Sequence, residues 1–348
     1  MTEFAEKIVN KAVSLNFEKC GIIGVDAMKG YGEKLANRIE RFPETEKMLR
    51  NFAHFADPRQ KFPWAKSVVI CSWRVGVYRI PYNLNGLIGK HYLVDGRRNK
   101  AADAYRGNML LEKYMTDELH MHAASAHDSG ITSCRWAAMS AGIGSIRKNN
   151  FFYGDHGSYY ALSAFLIDQD LEYIHTPTHK PCSDSCNLCV KNCPTRSLAE
   201  PYAMCSFACV SYLTNKCYDN GAFAPLSSEI GGWIYGCDVC QDVCPHNKGE
   251  WLGDRDFPGL DELAGEISPE KVVMMDYEYL RNVISPKFWY IAPDDVWVWK
   301  RNALNAMRNG RDKRYEAAII SACSDEDGRV RAIAEDMKNG SGKNAERK

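Results

Sequence analysis

The sequence predicts an α/β domain, then a cysteine-rich domain, then a helical C-terminal region. Helical and strand-like patterns alternate up to about residue 175, which is typical of an α/β domain. Of the 14 cysteines, seven lie between residues 182 and 217 and three more between 237 and 244. Helical patterns follow after residue 251. We therefore expect three domains, over residues 1–175, 176–255 and 256–348.

Hydrophobic periodicity predicts the elements of the first domain. Apolar residues at helical spacing predict helices over residues 1–20, 100–122 and 131–142. Gly142 is a candidate C-cap of the last of these. Apolar, partly β-branched runs predict strands over residues 20–25 and 67–73. Residues 159–167 read as buried, but periodicity does not distinguish a strand from a helix there.

The rest of the chain divides by composition. Residues 175–181 are polar with two prolines and form a predicted linker to the cysteine-rich region. Residues 299–337 contain two or three short amphipathic helices. Their arrangement as a pair of helices resembles a HEAT repeat, although two helices do not establish a repeat.

Composition excludes several classes of protein. The chain has 44 basic and 44 acidic residues, so no overall field favours a polyanion or an acidic membrane surface. The apolar stretches are too short to span a bilayer, and the N-terminus lacks the apolar segment of a signal peptide. We expect a cytoplasmic protein, without membrane contact, whose cysteines stay reduced and available for metal.

Two cysteine motifs carry the chemistry. Cys186, Cys189 and Cys193 are spaced by two and three residues and precede a proline, and Cys237, Cys240 and Cys244 repeat the pattern. Such motifs bind two [4Fe–4S] clusters in bacterial ferredoxins, where the cysteine before proline ligates the other cluster. We therefore assign four cysteines to each of two clusters. The first cysteine group is Cys182, Cys186, Cys189 and Cys244, and the second cysteine group is Cys193, Cys209, Cys237 and Cys240.

Alternatives to this assignment remain. The gap between Cys182 and Cys186 is one residue longer than usual, and Cys205 competes with Cys209 as a ligand. Zinc is the other metal that cysteines favour, but zinc ribbons use cysteine pairs rather than triplets that end in Cys-Pro. The scattered cysteines are interpreted as structural, namely Cys20, Cys71, Cys134, Cys217 and Cys323.

The chain resembles the epoxyqueuosine reductase family. The resemblance rests on the first cysteine motif, on CVSYLTNK at 209–216 and on YGCDVCQDVCPHNK at 235–248. Segments 127–150 and 154–168 match the family in the same order. The family is cobalamin-dependent, reduces the epoxide of a modified tRNA nucleoside, and is related to reductive dehalogenases. Ser145 and Arg147 depart from the family's tryptophan and glycine, which leaves open a divergent paralogue with another substrate.

The resemblance implies a nitroreductase-like corrinoid domain, an inserted ferredoxin-like domain and a HEAT-like C-terminal module. Electrons from a flavodoxin or ferredoxin would pass through the two clusters to cobalt in bound cobalamin. Asp128 matches the family's acidic residue beside the substrate and would act as the general acid, with Tyr105 as a second proton donor. Asp128 also suits a helix N-cap, and Tyr105 suits packing on the core. The implied corrinoid-binding residues are Ser129, Gly142, Gly144, Arg147, Lys148, Gly157 and Ser158.

Partner and substrate are less determined by the sequence. Six basic residues and one acid lie within 300–314, where a basic helix face could contact tRNA phosphates. A solvated helix face gives the same pattern. The main functional hypothesis is reduction of epoxyqueuosine in tRNA to queuosine. The alternatives are a corrinoid reductase that acts on a small molecule, and a non-catalytic protein that transfers electrons to bound corrinoid.

Overall fold

The computed structural model describes residues 3–125, 130–178 and 181–345, with side chains up to residue 339. Its central sheet has four antiparallel strands in the order β1-β2-β6-β3. Two short pairs, β4–β5 and β7–β8, lie outside this sheet. The strands are β1 Lys19–Gly24, β2 Ser67–Arg74, β3 Ala123–Ser125, β4 Ser145–Ile146, β5 Phe152–Tyr153, β6 Tyr160–Ile167, β7 Leu198–Glu200 and β8 Ala203–Met204.

Helices surround the sheet and form the C-terminal part of the described chain. The helices that precede the cysteine region are α1 Glu3–Ser14, α2 Lys29–Arg41, α3 Glu46–Arg50, α4 Lys90–Leu93, α5 Asp103–Lys113 and α6 Cys134–Ser140. Those within it are α7 Leu188–Lys191, α8 Val210–Asn215, α9 Asn220–Phe223 and α10 Val239–Asp242. Those that follow are α11 Leu260–Glu266, α12 Pro269–Met274, α13 Tyr277–Tyr279, α14 Ser285–Lys287, α15 Trp297–Gly310, α16 Glu316–Ala322 and α17 Gly328–Ala345.

The strands are apolar on both faces because both faces of the sheet are covered. On one face, Ile22, Val69 and Phe165 join a core that includes α1. On the other, Ile23, Val68 and Ile70 pack with Ala137 and Ala138 of α6. A strand buried on both faces has a continuous apolar run instead of an alternating one. The ambiguous run at 159–167 is therefore a strand, β6.

Helix boundaries follow local signals. In α1, Ala5, Ile8 and Ala12 are buried at helical spacing, so one stripe of the helix faces the core. Helix α6 ends before Gly142, whose φ of 72° is the left-handed conformation that glycine adopts readily. The amides of Gly142 and Ile143 donate back to the carbonyls of Met139 and Ala138. The predicted C-cap is confirmed.

The C-terminal helices share a core with the N-terminal domain. Buried residues form one cluster from Ala5 in α1 to Met337 in α17. Trp297 and Trp299 of α15 are completely buried, and Trp299 stacks on Tyr235 with ring centroids 5.0 Å apart. Within the described ranges, none of the helices combines the length and the apolar character needed to cross a bilayer.

Candidate functional site

The first cysteine group lines one cavity. Cys182, Cys186, Cys189 and Cys244 surround a space of about 200 Å³, together with side chains of the loop between β4 and β5. Helices α7 and α10 pack against each other, which brings Cys244 from the second motif beside the cysteines of the first motif. The cysteine before Pro245 therefore lies across from its own motif, as the spacing predicts.

The second cysteine group also lies together. The thiol of Cys240 interacts electrostatically with Cys237, Cys209 and Cys193, and more weakly with Cys189 of the first cysteine group. Burial raises the pKa of the Cys209, Cys237 and Cys240 thiols. Bound iron would oppose that shift, because metals are ligated by the thiolate form. The two groups are therefore neighbours, which suits electron transfer between two bound clusters.

Cys205 lies apart from the second cysteine group. Its Sγ is 3.2 Å from Oε1 of Glu44, and this carboxylate and burial raise the pKa of the thiol. A neighbouring carboxylate disfavours a thiolate ligand. Cys209, in contrast, interacts electrostatically with Cys193. The geometry thus places Cys209, and not Cys205, with the other three cysteines.

The cavity of the first cysteine group suits a four-iron cluster. Across residues 3–125, 130–178 and 181–345, no three Cys, His, Asp or Glu side chains converge as ligands of one metal ion do. A four-iron cube is larger than an ion, so its ligands stand further apart. The first group surrounds a cavity with no side chain filling its centre.

Residues of the loop between β4 and β5 hold the cysteine loops in place. Nζ of Lys148, which is 6 % exposed, donates to the carbonyls of Ser183, Asp184 and Cys186 at 2.8, 3.1 and 2.8 Å. Nδ2 of Asn149 donates to the carbonyl of Cys240 at 3.1 Å. A single loop of the α/β domain therefore anchors both cysteine motifs.

Gly157 and Ser158 support the second cysteine motif. The Ser158 amide donates to Oδ1 of Asn247 at 2.8 Å, and the Ser158 hydroxyl donates to Oε1 of Gln241 at 2.8 Å. Gly157 has φ 69°, and a Cβ there would lie 2.3 Å from Oδ1 of Asn247. These two residues, implied to bind corrinoid, instead contact the segment around α10.

Gly142 and Gly144 have packing roles. A Cβ at Gly142 would lie 2.0 Å from the carbonyl oxygen of His175, and one at Gly144 would lie 2.3 Å from the ring of Phe152. Their lack of a side chain is therefore explained by close packing rather than by the approach of a cofactor. Neither residue lines the large cleft described next.

A cleft lies between the α/β domain and the cysteine region. It consists of two adjoining cavities of about 470 and 430 Å³, which share Tyr31, Arg38, Ser133 and Arg135. Its walls come from α2, the start of α6 and the β7–β8 segment. Cys209 of the second cysteine group lines its inner part. The cleft is therefore in contact with one proposed cluster ligand.

Four basic side chains, Lys34, Arg38, Arg41 and Arg135, line the cleft together with the acids Glu33 and Glu200. Arg41 forms an ion pair with Glu200 at 2.5 Å. Arg38 donates to the carbonyl of Met204 at 3.1 Å and to Oγ of Ser206 at 2.6 Å, and Arg135 donates to the carbonyl of Asn150. Burial, with the nearby Arg135 and Arg38 cations, lowers the pKa of Lys34. A group of cations bonded to neutral acceptors favours an anionic ligand. These residues were not predicted from the sequence, because Lys34 and Arg38 lie on α2, Arg135 lies on α6, and none of them belongs to a motif.

The chain resembles a family of iron–sulfur domains and several curated epoxyqueuosine reductases. Residues 182–247 match the family model of a 4Fe-4S double cluster binding domain. The epoxyqueuosine reductase of Cellulophaga algicola is 29% identical over 261 residues, which cover 70% of this chain and 79% of that protein. The resemblance to epoxyqueuosine reductases is confirmed.

Solved structures of epoxyqueuosine reductases share the fold. One was solved with a tRNA-Tyr epoxyqueuosine-modified tRNA stem loop; its TM-score is 0.74 at 22% identity, and the match covers 95% of this chain and 88% of that chain. Another, from Bacillus subtilis, has an aspartate catalytic loop swung out of the active site; its TM-score is 0.73 at 22% identity, with the same coverage. The α/β fold with a double-cluster domain is therefore confirmed.

Of the two proton donors that the resemblance implies, the structure describes Tyr105 but not Asp128. Asp128 and the implied corrinoid contact Ser129 lie outside the described residues. Gly130, which follows them, packs against the ring of Phe55, a residue that lines the cleft. Tyr105 lies on α5, is half-buried and packs against the core, and it does not line the cleft.

The basic segment 300–314 has fewer available cations than its composition suggests. Nζ of Lys300 is 2.7 Å from Oδ2 of Asp325, and both side chains are 6% exposed. Arg301 is buried and donates to the carbonyls of Cys217 and Leu213 at 2.7 and 2.8 Å. These two cations stabilise the interior and cannot contact phosphates. The remaining four are exposed, namely Arg308, Arg311, Lys313 and Arg314.

Proposed function

We propose that this chain is a cobalamin-dependent iron–sulfur oxidoreductase that reduces epoxyqueuosine in tRNA to queuosine. The observation that carries the proposal is the cleft, which adjoins Cys209 of the second cysteine group and is lined by Lys34, Arg38 and Arg135, among other charged side chains. The cleft offers space for part of a large cofactor. In it, a cofactor would be next to a ligand of an electron-carrying cluster.

Each cofactor has residues that suit it. The first and second cysteine groups would each hold one [4Fe–4S] cluster, and cobalamin would bind in the cleft. When bound, the clusters supply one-electron carriers and cobalamin supplies a strongly reducing metal. Tyr31 and Trp136 line the cleft beside Arg135 and offer aromatic surfaces for a ring system. Lys34, Arg38 and Arg135 would bind phosphate groups or the amide oxygens of the corrinoid.

Asp128 would supply the proton that epoxide reduction requires. A carboxylic acid kept from water retains its proton near neutral pH, because desolvation disfavours the charged form. The relative that was solved with its aspartate catalytic loop swung out of the active site supports a catalytic aspartate. Tyr105 stays a second donor candidate, although its packing on the core favours the structural interpretation.

We further propose a domain organisation, an electron donor and a mode of tRNA contact for this chain. The α/β domain would be nitroreductase-like, and residues 256–348 would form a HEAT-like module. The division at residues 175 and 255 would separate three domains. Electrons would come from a flavodoxin or a ferredoxin. The tRNA stem loop would reach the cleft, with the exposed cations of 308–314 as a secondary contact.

Anaerobic reconstitution with iron, sulfide and cobalamin tests the proposal. We expect about eight irons per chain, as two four-iron clusters require, and a corrin absorption band that survives gel filtration. The reconstituted protein should then convert an epoxyqueuosine-containing stem loop under reducing conditions. A matched Arg38→Met, Arg135→Met variant should keep its iron and lose the corrin band.

Three results separate the alternatives. Retained corrin without conversion of the stem loop would favour reduction of a small molecule. Eight irons without retained corrin would contradict the proposal and favour an electron-transfer protein. Corrin retention that is equal in the double variant and the parent would show that the cleft is not the corrinoid site.

A further inference from the structure

Arg147 is a buried cation whose hydrogen bonds are incomplete. It lies in the loop between β4 and β5, is 6% exposed, and lines the cavity of the first cysteine group. Its Nε and Nη1 are buried and have no hydrogen-bond partner among the described residues. Leaving such donors unpaired destabilises the folded state, and more so when the group is charged. An acceptor belonging to a ligand of this cavity would remove that cost.

The surroundings of Arg147 indicate an acceptor in the cavity. Its guanidinium lies 4.9 Å from the centroid of the Tyr153 ring, which holds it by a cation–π contact. Lys148, the other cation of the cavity, is already bonded to three backbone carbonyls. Arg147 does not line the cofactor cleft, so neither a corrinoid amide nor a substrate anion in that cleft would satisfy it.

The charged side chains beside the two cysteine groups differ, because the second group has a buried carboxyl beside Cys237 as well as the cation Arg38 beside Cys209. Arg147 adjoins the first group. The buried carboxyl of Asp238 adjoins Cys237 of the second group, and its Oδ2 accepts from the Lys90 amide at 2.9 Å. Net charge and hydrogen bonds to sulfur are two of the factors that set the potential of an iron–sulfur cluster. One-electron reduction adds one negative charge, which a cation stabilises and a carboxylate opposes.

We propose that Arg147 sets the reduction potential of the first cluster by donating hydrogen bonds to its sulfur atoms. This inference rests on the ligand sets of the proposed function. Arg147 raises the potential of the first cluster above that of the second. The first cluster thus accepts each electron from an external low-potential donor, and the second, next to the cleft, is the stronger reductant.

A redox titration monitored by EPR tests this role. The reconstituted wild-type protein should show two reduction steps. In Arg147→Met, the ratio of reduced to oxidised first cluster at a fixed potential should fall about tenfold, which equals a downward shift of about 59 mV for one electron. The second step should not move. Arg147→Lys keeps the charge without the planar fork, so its shift should be smaller and in the same direction.

Controls separate a local effect from misfolding. Arg308→Met removes an exposed cation far from the cavity in sequence and should move neither step. The iron content shows whether the proposed function fails or only the inference about Arg147. Fewer than about eight irons in the wild type overturns the proposed function and this inference together. Eight irons with unmoved steps in Arg147→Met, or with both steps moved equally, overturns the inference alone.

A measurement on the wild type does not depend on the variants folding. Protein labelled with ¹⁵N-arginine and reduced by about one electron per chain should show a weak nitrogen coupling in pulsed EPR. Such a coupling requires an arginine N–H in contact with the reduced cluster. If no ¹⁵N coupling is found at this level of reduction, Arg147 does not contact the cluster and the inference fails.

Discussion

The cavity of the first cysteine group and the cofactor cleft are both lined by cations, but the two regions are constructed differently. In the cavity, Arg147 and Lys148 are adjacent in sequence, and Lys148 donates hydrogen bonds to backbone carbonyls of the cysteine loop. In the cleft, Lys34 and Arg135 come from helices about one hundred residues apart. One loop thus supplies both cations of the cavity, whereas the cations of the cleft depend on how α2 and α6 are packed.

Because the two regions are formed by different residues, substitutions in one region should not have the same effect as substitutions in the other. Substitutions at the cysteine groups should change iron content and potential. Substitutions in the cleft should change the binding of cofactor or substrate while the iron content is preserved. The following predictions test this division, from the largest expected effect to the smallest.

Loss of one ligand from the second cysteine group should have the largest effect. Cys240→Ala should lower the iron content towards about four per chain, because one four-iron cluster loses a ligand. Turnover should disappear, since electrons would no longer reach the cleft. Iron analysis and EPR of the reduced protein measure this change. An unaltered iron content would show that Cys240 is not a ligand.

Asp128 should affect turnover without affecting the cofactors. Asp128→Ala should reduce turnover by about 10²–10⁴-fold, the usual contribution of a positioned general acid. Asp128→Asn is the matched control, because asparagine is as good a helix N-cap as aspartate but cannot supply the proton. If Asp128→Asn keeps full turnover and Asp128→Ala unfolds, the residue is a cap and not an acid.

Arg38→Met should weaken cobalamin retention about tenfold, since a hydrogen bond to a charged group contributes roughly 1.5–3 kcal/mol. The side chain now joins α2 to the segment around Met204 through two hydrogen bonds. A melting curve of the apoprotein therefore accompanies the binding titration. A fall in melting temperature without a change in cobalamin affinity would assign Arg38 to structure alone.

Cys205→Ala should have the smallest effect. Cys205 is bonded to Glu44 rather than placed with the second cysteine group. The variant should keep about eight irons and wild-type turnover, as expected if it ligates neither four-iron cluster. Cys209→Ala is the paired comparison and should lose iron. The reverse outcome would exchange the two cysteines in the ligand set.

Much of the fold could be predicted from the sequence because its signals are local. Strand β2, helix α1 and the glycine that ends α6 each follow from residues within a few positions of one another. The paired Cys-Pro motifs indicated the double-cluster domain, which the family model confirms. Periodicity could not identify β6, because a strand covered on both faces has no alternating pattern.

The cleft could not be predicted in the same way. Lys34 and Arg38 are partly buried on the same side of α2 as Leu35, but in the sequence they resemble ordinary surface lysine and arginine. Their role depends on α6 bringing Arg135 next to them. The implied corrinoid contacts Gly157 and Ser158 lie in a segment whose match to the family is real, but the structure places them against Asn247 and Gln241.

By itself, the sequence of this protein determined its chemistry, since the spacing of eight cysteines and two prolines is enough to specify two iron–sulfur clusters. Tertiary structure alone decided which cations surround which site. Lys300 and Arg301 were candidates for tRNA contact and are buried, whereas Arg38 and Arg135 line the cleft. The physical reason is that each cysteine motif is recognisable within one short segment, while a field of cations exists only after distant helices have packed.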